Sequence, residues 1–425
     1  MAAPRSEALN ILFVTDSANM YGAERCLLEV VSRMGPAWRP CFATPRAGRL
    51  TEELSRANFP VYTLNLEAEF RSPYKARRLL TAVRLASLIW SHRIHLVHLN
   101  LHFEASIVAG ACALAGVPVV VHVRNMVDDP LGPLVHNVDG FICISKAVRD
   151  SLISVGKLPA PLVQERSWLI PDGRDLAPYG RANRTLIRKE LELEDDTPLV
   201  GMVARLCSLK GQDVFLEMAA SVSDRIPSAR FLLVGDLASP LDTGYETTLK
   251  RLQRELGLGD KVTFAGYRDD IPDLLAAMDC FVHPSRRGAF VSVLIEAMAS
   301  GVPIVASDVD GIPECVGRNG AAILISPVTP ASYSDAVVKV LIDRQLAARM
   351  AAAGRERAQK LYHIGLLTEE TTSMFKAVLQ RSSFSQRLRR VGALLAFAFK
   401  YGARRTFSES GDLSKRIDRN QASEP

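Results

Sequence analysis

The stretch Gly201-Met202-Val203-Ala204-Arg205-Leu206-Cys207-Ser208-Leu209-Lys210-Gly211-Gln212-Asp213 reads as a buried strand, a loop bearing two cations, and the first turn of a helix. Free backbone N–H groups at a helix start, with loop cations beside them, suit a phosphate or diphosphate. An ordinary strand-to-helix turn carrying a solvated Arg and Lys is the alternative for these residues taken alone.

Outward from this block the same alternation of short β-rich runs and longer helical segments repeats, the pattern of parallel sheets covered by helices. Downstream, strands are predicted at 199–203, 231–234, 262–264, 280–283, 303–306 and 322–325, with helices near 212–220, 247–256, 274–278, 291–299 and 332–341. Upstream, strands are predicted at 9–15, 61–64, 96–99, 117–121, 140–144 and 168–170, with helices at 23–34, 75–91 and 104–115. In the 75–91 segment Leu79, Val83, Ala86 and Trp90 recur at helical spacing.

Pro171-Asp172-Gly173 and the polar stretch running to Pro198 interrupt the series and mark a linker. The expected fold is therefore α/β, with two Rossmann-like, doubly wound units at 1–180 and 181–362, then a helical region and basic tail at 363–425. A chain of 425 residues is long enough for two cores. Ligands of such sheets bind outside the carboxyl ends of the strands, which puts the default site in a cleft between the units.

The net charge of +6 lies in the tail, where ten basic residues from Arg381 onward face four acidic ones. Residues 1–380 are formally neutral, which leaves no electrostatic case for nucleic acid. Seven widely spaced cysteines without a CxxC pair argue against a disulfide framework or zinc site and for a reducing cytoplasm. The first thirty residues lack the apolar core of a signal peptide, and no stretch has the roughly 18 apolar residues of a spanning helix.

Two further segments carry chemistry. Phe231-Leu232-Leu233-Val234-Gly235-Asp236 ends a buried strand in Gly-Asp, where backbone can approach a ligand or simply turn. Glu296, set among apolar residues in Glu296-Ala297-Met298-Ala299-Ser300-Gly301-Val302-Pro303, is costly to leave unpaired. A ligand with paired hydroxyls such as a ribose would satisfy it, and so would a structural ion pair.

In order and spacing these segments, with Val262-Thr263-Phe264-Ala265-Gly266 and Gly311-Ile312-Pro313-Glu314, resemble the family-4 glycosyltransferases, retaining nucleotide-sugar enzymes of the GT-B fold. The resemblance covers most of residues 9–362. It implies that Arg205 and Lys210 hold and stabilise the donor diphosphate, that Glu296 binds the ribose hydroxyls, and that backbone near Gly266 and Tyr267 meets the base. Phe290, Val291, Ser292 and Val293 would offer backbone N–H groups to the phosphates and the transferred sugar. Met20-Tyr21-Gly22-Ala23-Glu24-Arg25 is similar to the family's Gly-Gly-Ala-Glu loop facing donor and acceptor, with Tyr21 in place of the first Gly. His122 corresponds to a His that touches the transferred sugar. Asn100, Arg124, Tyr21 and Ala23 are then acceptor contacts, and Gly22 a donor contact. Ile170-Pro171-Asp172-Gly173 matches the Pro-Asn-Gly hinge with Asp for Asn.

One departure bears on activity. The family's first Glu of a pair spaced seven apart is Gly288 here, and the Gly after the Phe is Val291. The resemblance implies sugar transfer from a nucleoside diphosphate sugar to an acceptor hydroxyl, with retention and without a metal, in building a surface polysaccharide or glycolipid. The adjacent pairs Asp128-Asp129 and Asp269-Asp270, expected in loops, are not read as holding a metal on the donor. The loss of that Glu keeps open a silent, nucleotide-binding scaffold, or compensation by Arg286 or Arg287. An epimerase or phosphorylase on the same architecture matches the motifs less well. The run Val391-Gly392-Ala393-Leu394-Leu395-Ala396-Phe397-Ala398-Phe399, bracketed by arginines and lysine within 386–405, is too short to span a bilayer. It suits an anionic membrane surface on the cytoplasmic side, where a lipid-linked acceptor would lie, or equally a helix packed on the protein or a solvated tail.

Overall fold

The computed structural model describes residues 8–64, 75–236 and 243–381. Two parallel sheets face each other across a cleft. The first holds β1 (Leu9–Val14), β2 (Trp38–Thr44), β3 (Val61–Thr63), β4 (Leu96–Leu99), β5 (Val119–Val123), β6 (Gly140–Cys143) and β7 (Ser167–Leu169), in the order β3-β2-β1-β4-β5-β6-β7. The second holds β8 (Leu199–Val203), β9 (Arg230–Val234), β10 (Val262–Gly266), β11 (Cys280–His283), β12 (Ile304–Ser307) and β13 (Ala322–Ile325), in the order β10-β9-β8-β11-β12-β13.

Helices cover both faces of each sheet, which is why central strands read as unbroken apolar runs. In β1, Leu12 and Val14 pack toward the helices Lys75–Ser91 and Ala105–Ala115, while Ile11 and Phe13 pack toward Gly22–Val31 and Ile364–Arg381. The last of these helices lies after the second sheet in sequence yet completes the first core through Met374, Phe375 and Val378. The chain thus crosses the cleft twice. The two crossings are bonded to each other, Arg174 N to Tyr362 O at 2.8 Å and Ile364 N to Arg174 O at 2.9 Å.

Strand order reverses between β1 and β4 and again between β8 and β11. At such a switch the outgoing loops diverge and leave a crevice at the carboxyl ends of the strands. The 201–213 block leaves β8 at one of these points.

Several expectations need correction. The sequence reading lacks β2, because Arg39 and Pro40 interrupt its apolar pattern. Pro40 is tolerated there since it pairs with Ile11 of β1, whereas β3 joins β2 only from Phe42 onward, so no second neighbour requires its missing N–H. Strand β5 runs two residues beyond the predicted end, because His122 and Val123 pair with Ile142 and Cys143 of β6. The 75–91 helix forms as expected, and its buried face is not the one the Leu79, Val83 and Trp90 spacing marks. Leu79, Val83 and Trp90 are exposed, while Ala82, Leu85, Ala86 and Ile89 are buried. Only the first part of the expected linker connects the units, since helix Arg184–Glu190 buries Ile187 and Arg188 against the second unit. The basic tail at 386–405 lies outside the described residues. No described helix is long and apolar enough to cross a membrane.

Candidate functional site

Strand β8 is fully buried through Met202, and its exit loop is tied to that of β9 by Ala204 N to Val234 O and Leu206 N to Asp236 O, both 2.9 Å. Gly235 has φ 138°, and a side chain there would run into the Ala204 carbonyl. The fully buried Gln212 donates from Nε2 to the Arg205 carbonyl at 2.8 Å and so fixes the loop that carries Arg205. Gly211, at φ 75°, packs its α-carbon against the Pro284 carbonyl and brings Lys210 beside β11.

These loops line a cavity of about 270 Å³ together with Met20, Tyr21, Gly22, Arg174, Tyr267 and Glu296. Five cations reach it: Arg25, Arg174, Arg205, Lys210 and Arg268. Three are neutralised locally, Arg25 by Asp269, Arg174 by Glu296, and Arg268 by Glu190 and Asp270. Among the described residues Arg205 and Lys210 have no carboxylate within ion-pair distance; Arg205 instead lies over the Tyr21 ring, 5.9 Å from its centroid. Burial, with Arg205 adding to it, lowers the Lys210 pKa. His283, on the cavity wall, is driven down to about 3 by burial and Lys210, and is neutral.

Helix Ser292–Ser300 begins at the same cavity, and no side chain caps it. Val291, Ser292 and Val293 line the wall, so the helix start presents backbone donors beside the two unpaired cations. The combination of fixed positive charge and amide dipoles can hold a dianionic or trianionic group without a metal. Among the described residues no group of three or more His, Cys, Asp or Glu is placed to hold a metal ion.

The structure brings Arg205, Lys210, Glu296, Tyr267, Val291, Ser292, Val293, Tyr21 and Gly22 to this cavity. It does not bring Phe290, whose ring packs edge-on against Tyr362 at 5.5 Å, nor Gly266, which bonds through its carbonyl to Gly235 N at 2.8 Å. Ala23, Asn100, His122 and Arg124 are also absent from the wall. The last three form a buried set behind the first sheet's edge. Arg124 donates from Nε to Asn100 Oδ1 at 3.2 Å and from Nη1 to Asp172 Oδ1, which also accepts from Cys26 Sγ at 3.6 Å. His122 Nε2 lies 3.9 Å from the same oxygen. Burial, with Arg124 and His98, holds His122 far below its ordinary pKa, so it is neutral and that approach is not an ion pair.

Gly288 does not leave an open socket. A β-carbon there would come within 2.9 Å of the buried Ile312 side chain. Arg286 and Arg287 are engaged elsewhere, with Asp213 at 2.5 Å and Asp128 at 2.7 Å. Two residues that matter were not singled out from sequence. Gln212 looked like a generic first-turn polar residue. Arg174 follows the Pro171-Asp172-Gly173 turn, and its one signal was a full charge immediately after a hinge.

Comparison with known proteins divides the chain in two. Residues 20–177 match the family described as Glycosyltransferase Family 4, and residues 183–357 match Glycosyl transferases group 1. A GDP-mannose-dependent alpha-(1-6)-phosphatidylinositol monomannoside mannosyltransferase of Mycobacterium tuberculosis is 36% identical over 184 residues, 41% of this chain and 46% of that protein. The match thus spans about half that relative's length. An alpha-D-kanosaminyltransferase of Streptomyces kanamyceticus is 26% identical over 62% of this chain and 72% of its own. Among solved structures, Anabaena HepE in complex with UDP aligns with TM-score 0.74 and 23% identity over 87% of this chain and 100% of its own, a likeness of fold.

Proposed function

Starting from a GT-B chain related to the group 1 and family 4 glycosyltransferases, we propose that the protein transfers a sugar from a nucleoside diphosphate sugar to an acceptor hydroxyl with retention, in polysaccharide or glycolipid synthesis. The observation that carries this reading is the pair Arg205 and Lys210, without a carboxylate partner among the described residues and lining one cavity with an uncapped helix start. The names of the relatives support it, one being GDP-mannose-dependent and one structure holding UDP.

In this reading the β-phosphate oxygens lie against Arg205, Lys210 and the 291–293 amides. As the anomeric C–O bond breaks, the charge developing on the diphosphate is stabilised by groups already oriented toward it, the arrangement in which electrostatic stabilisation is largest. The departing phosphate accepts the proton of the attacking hydroxyl on the same face, so no protein base is required. Glu296 accepts from the ribose hydroxyls, and Tyr267 flanks the base. A lipid-linked acceptor would be met at a membrane surface, to which residues 386–405 are proposed to bind.

The test is release of nucleoside diphosphate from a panel of UDP-, GDP- and ADP-sugars, each with saccharide and lipid-linked acceptors. Turnover that depends on acceptor supports the reading. Tight donor binding with no turnover across the panel favours a nucleotide-binding scaffold, the second reading, which rests on Ile312 filling the space beside Gly288. Deleting 386–425 should abolish sedimentation with anionic liposomes; unchanged sedimentation removes the membrane role.

A further inference from the structure

Arg174 is the first side chain after the hinge, and it touches three parts of the molecule. Its backbone bonds to Tyr362 and Ile364 of the returning chain, its Nη2 reaches the Gly22 carbonyl at 3.3 Å, and its Nε donates to Glu296 Oε1 at 2.9 Å. The guanidinium is 4% exposed, and Nη1 is buried with no hydrogen-bond partner. An unmade bond on a buried charged donor is expensive, and a ligand oxygen would remove that cost. The residue also lines the cavity, together with Glu296, whose side chain is 14% exposed.

We propose that Arg174 reads the ribose of the donor: Nε holds Glu296 so that its carboxylate faces the diol, and Nη1 donates to a ribose hydroxyl oxygen. The inference rests on the nucleotide reading of the cavity. Its chemistry is complementary, because a diol offers both donors and acceptors. Glu296 can take only the donors; the acceptors need an N–H, and Arg174 supplies one beside the carboxylate. Oε1 retains a second lone pair after accepting from Nε, so the pair can receive both hydroxyls without being broken.

The experiment compares binding of UDP and GDP with their 2′-deoxy and 3′-deoxy counterparts by calorimetry, in wild type, Arg174→Lys and Arg174→Met. Wild type should prefer the ribo form, and Arg174→Met should lower affinity for it about tenfold or more while bringing the ribo-to-deoxy ratio close to one. Arg174→Lys keeps a charge for Glu296 without the forked donor, so it should recover part of the affinity and little of the ratio. If Arg174→Met fails to fold, the lysine variant decides alone. An unchanged ratio in the variant overturns the inference, even where affinity or stability falls, and makes Arg174 a tether. A wild type that binds the diphosphates without distinguishing ribo from deoxy overturns it too, yet leaves the Arg205 and Lys210 clasp standing. Wild type that binds neither nucleotide overturns both.

Discussion

The two switch points of the molecule treat their polar residues in opposite ways. At the carboxyl ends of β8 and β11, Arg205 and Lys210 stand without a carboxylate partner among the described residues, beside glycines that let loops approach one another, and the helix start beside them is uncapped. At the carboxyl ends of β4, β5 and β7, Asn100, Arg124 and Asp172 are buried and bonded through the Arg124 guanidinium, with a neutral, buried His122 beside them. The first end keeps its charge available for a ligand. The second turns the Arg124 charge onto the hinge residue Asp172.

The largest effect expected from this contrast is on donor handling. Arg205→Ala and Lys210→Ala should each lower turnover about 100-fold, in the range seen for losing one preorganised donor to a developing anion, and should weaken nucleoside diphosphate binding measured by calorimetry. Neither should lower stability in denaturant by more than about 1 kcal/mol, because among the described residues neither has a carboxylate to lose and the Arg205 contact with the Tyr21 ring is a weak one. A drop in stability comparable to the loss of activity would break the contrast, by showing that the clasp also holds the fold.

The mirror experiment is Asp172→Ala. It strands the Arg124 guanidinium, 4% exposed, without its carboxylate, and removing one partner of a buried pair costs about 3–5 kcal/mol. Urea unfolding should register that loss. A variant as stable as wild type would mean that Arg124 finds another acceptor and that the buried set is looser than its geometry implies.

How much of this was legible follows the same division. The clasp is contiguous in sequence: a strand, two cations and a helix start lie within thirteen residues, and local rules suffice to assemble them. So do Gly235 and Glu296, each adjacent to a buried run. The buried set is built from residues 72 positions apart, Asn100 to Asp172, and strand ends look alike whether they face a ligand or a neighbour. The 75–91 helix shows a related limit. Leu79-Leu80, Ala82-Val83, Leu85-Ala86 and Leu88-Ile89 form two overlapping stripes, and which one is buried depends on the neighbouring sheet. Pro40 hid β2 because a propensity rule is stricter than the actual requirement, which is set by where β3 begins. Arg174 was missed since its importance lies in Glu296, 122 residues away.

A pH experiment sharpens the comparison at Glu24. Burial, opposed by a backbone hydrogen bond and aided by Asp16, pushes its pKa up to about 7, and its Oε1 has no partner. Below the unfolded value of 4.5 the group is protonated in both states and carries no penalty. As pH rises through 7 the folded state must either keep the proton or bury a charge, so stability is lost across that window. Glu24→Gln should abolish the loss, raising stability relative to wild type by about 2 kcal/mol at pH 8 and by nothing at pH 4. His98, His102 and His283, lowered to about 3 to 4, titrate in the opposite direction in both proteins. The difference between the two curves therefore isolates Glu24. A flat difference would make this end of the cleft as solvated as the other.

The smallest expected effect belongs to the contact that spans the two ends. Arg25 and Arg49, from the first domain, both reach the Tyr267 hydroxyl and Asp269 of the second, at 2.8 to 3.3 Å. The geometry looks like a latch, but the Arg25, Arg49 and Asp269 side chains are each at least a third open, from 36% to 59%. Exposed pairs of this kind contribute less than about 1 kcal/mol and are screened by salt within roughly 10 Å at 0.1 M. Arg49→Ala should therefore shift thermal unfolding only slightly, with the shift vanishing in high salt, and should change donor affinity less than about fivefold. A larger, salt-insensitive loss of affinity would mean that Tyr267 is held for the ligand by Arg25 and Arg49, so that the first domain sets the donor seat through these two arginines as well as lining it with Met20, Tyr21 and Gly22.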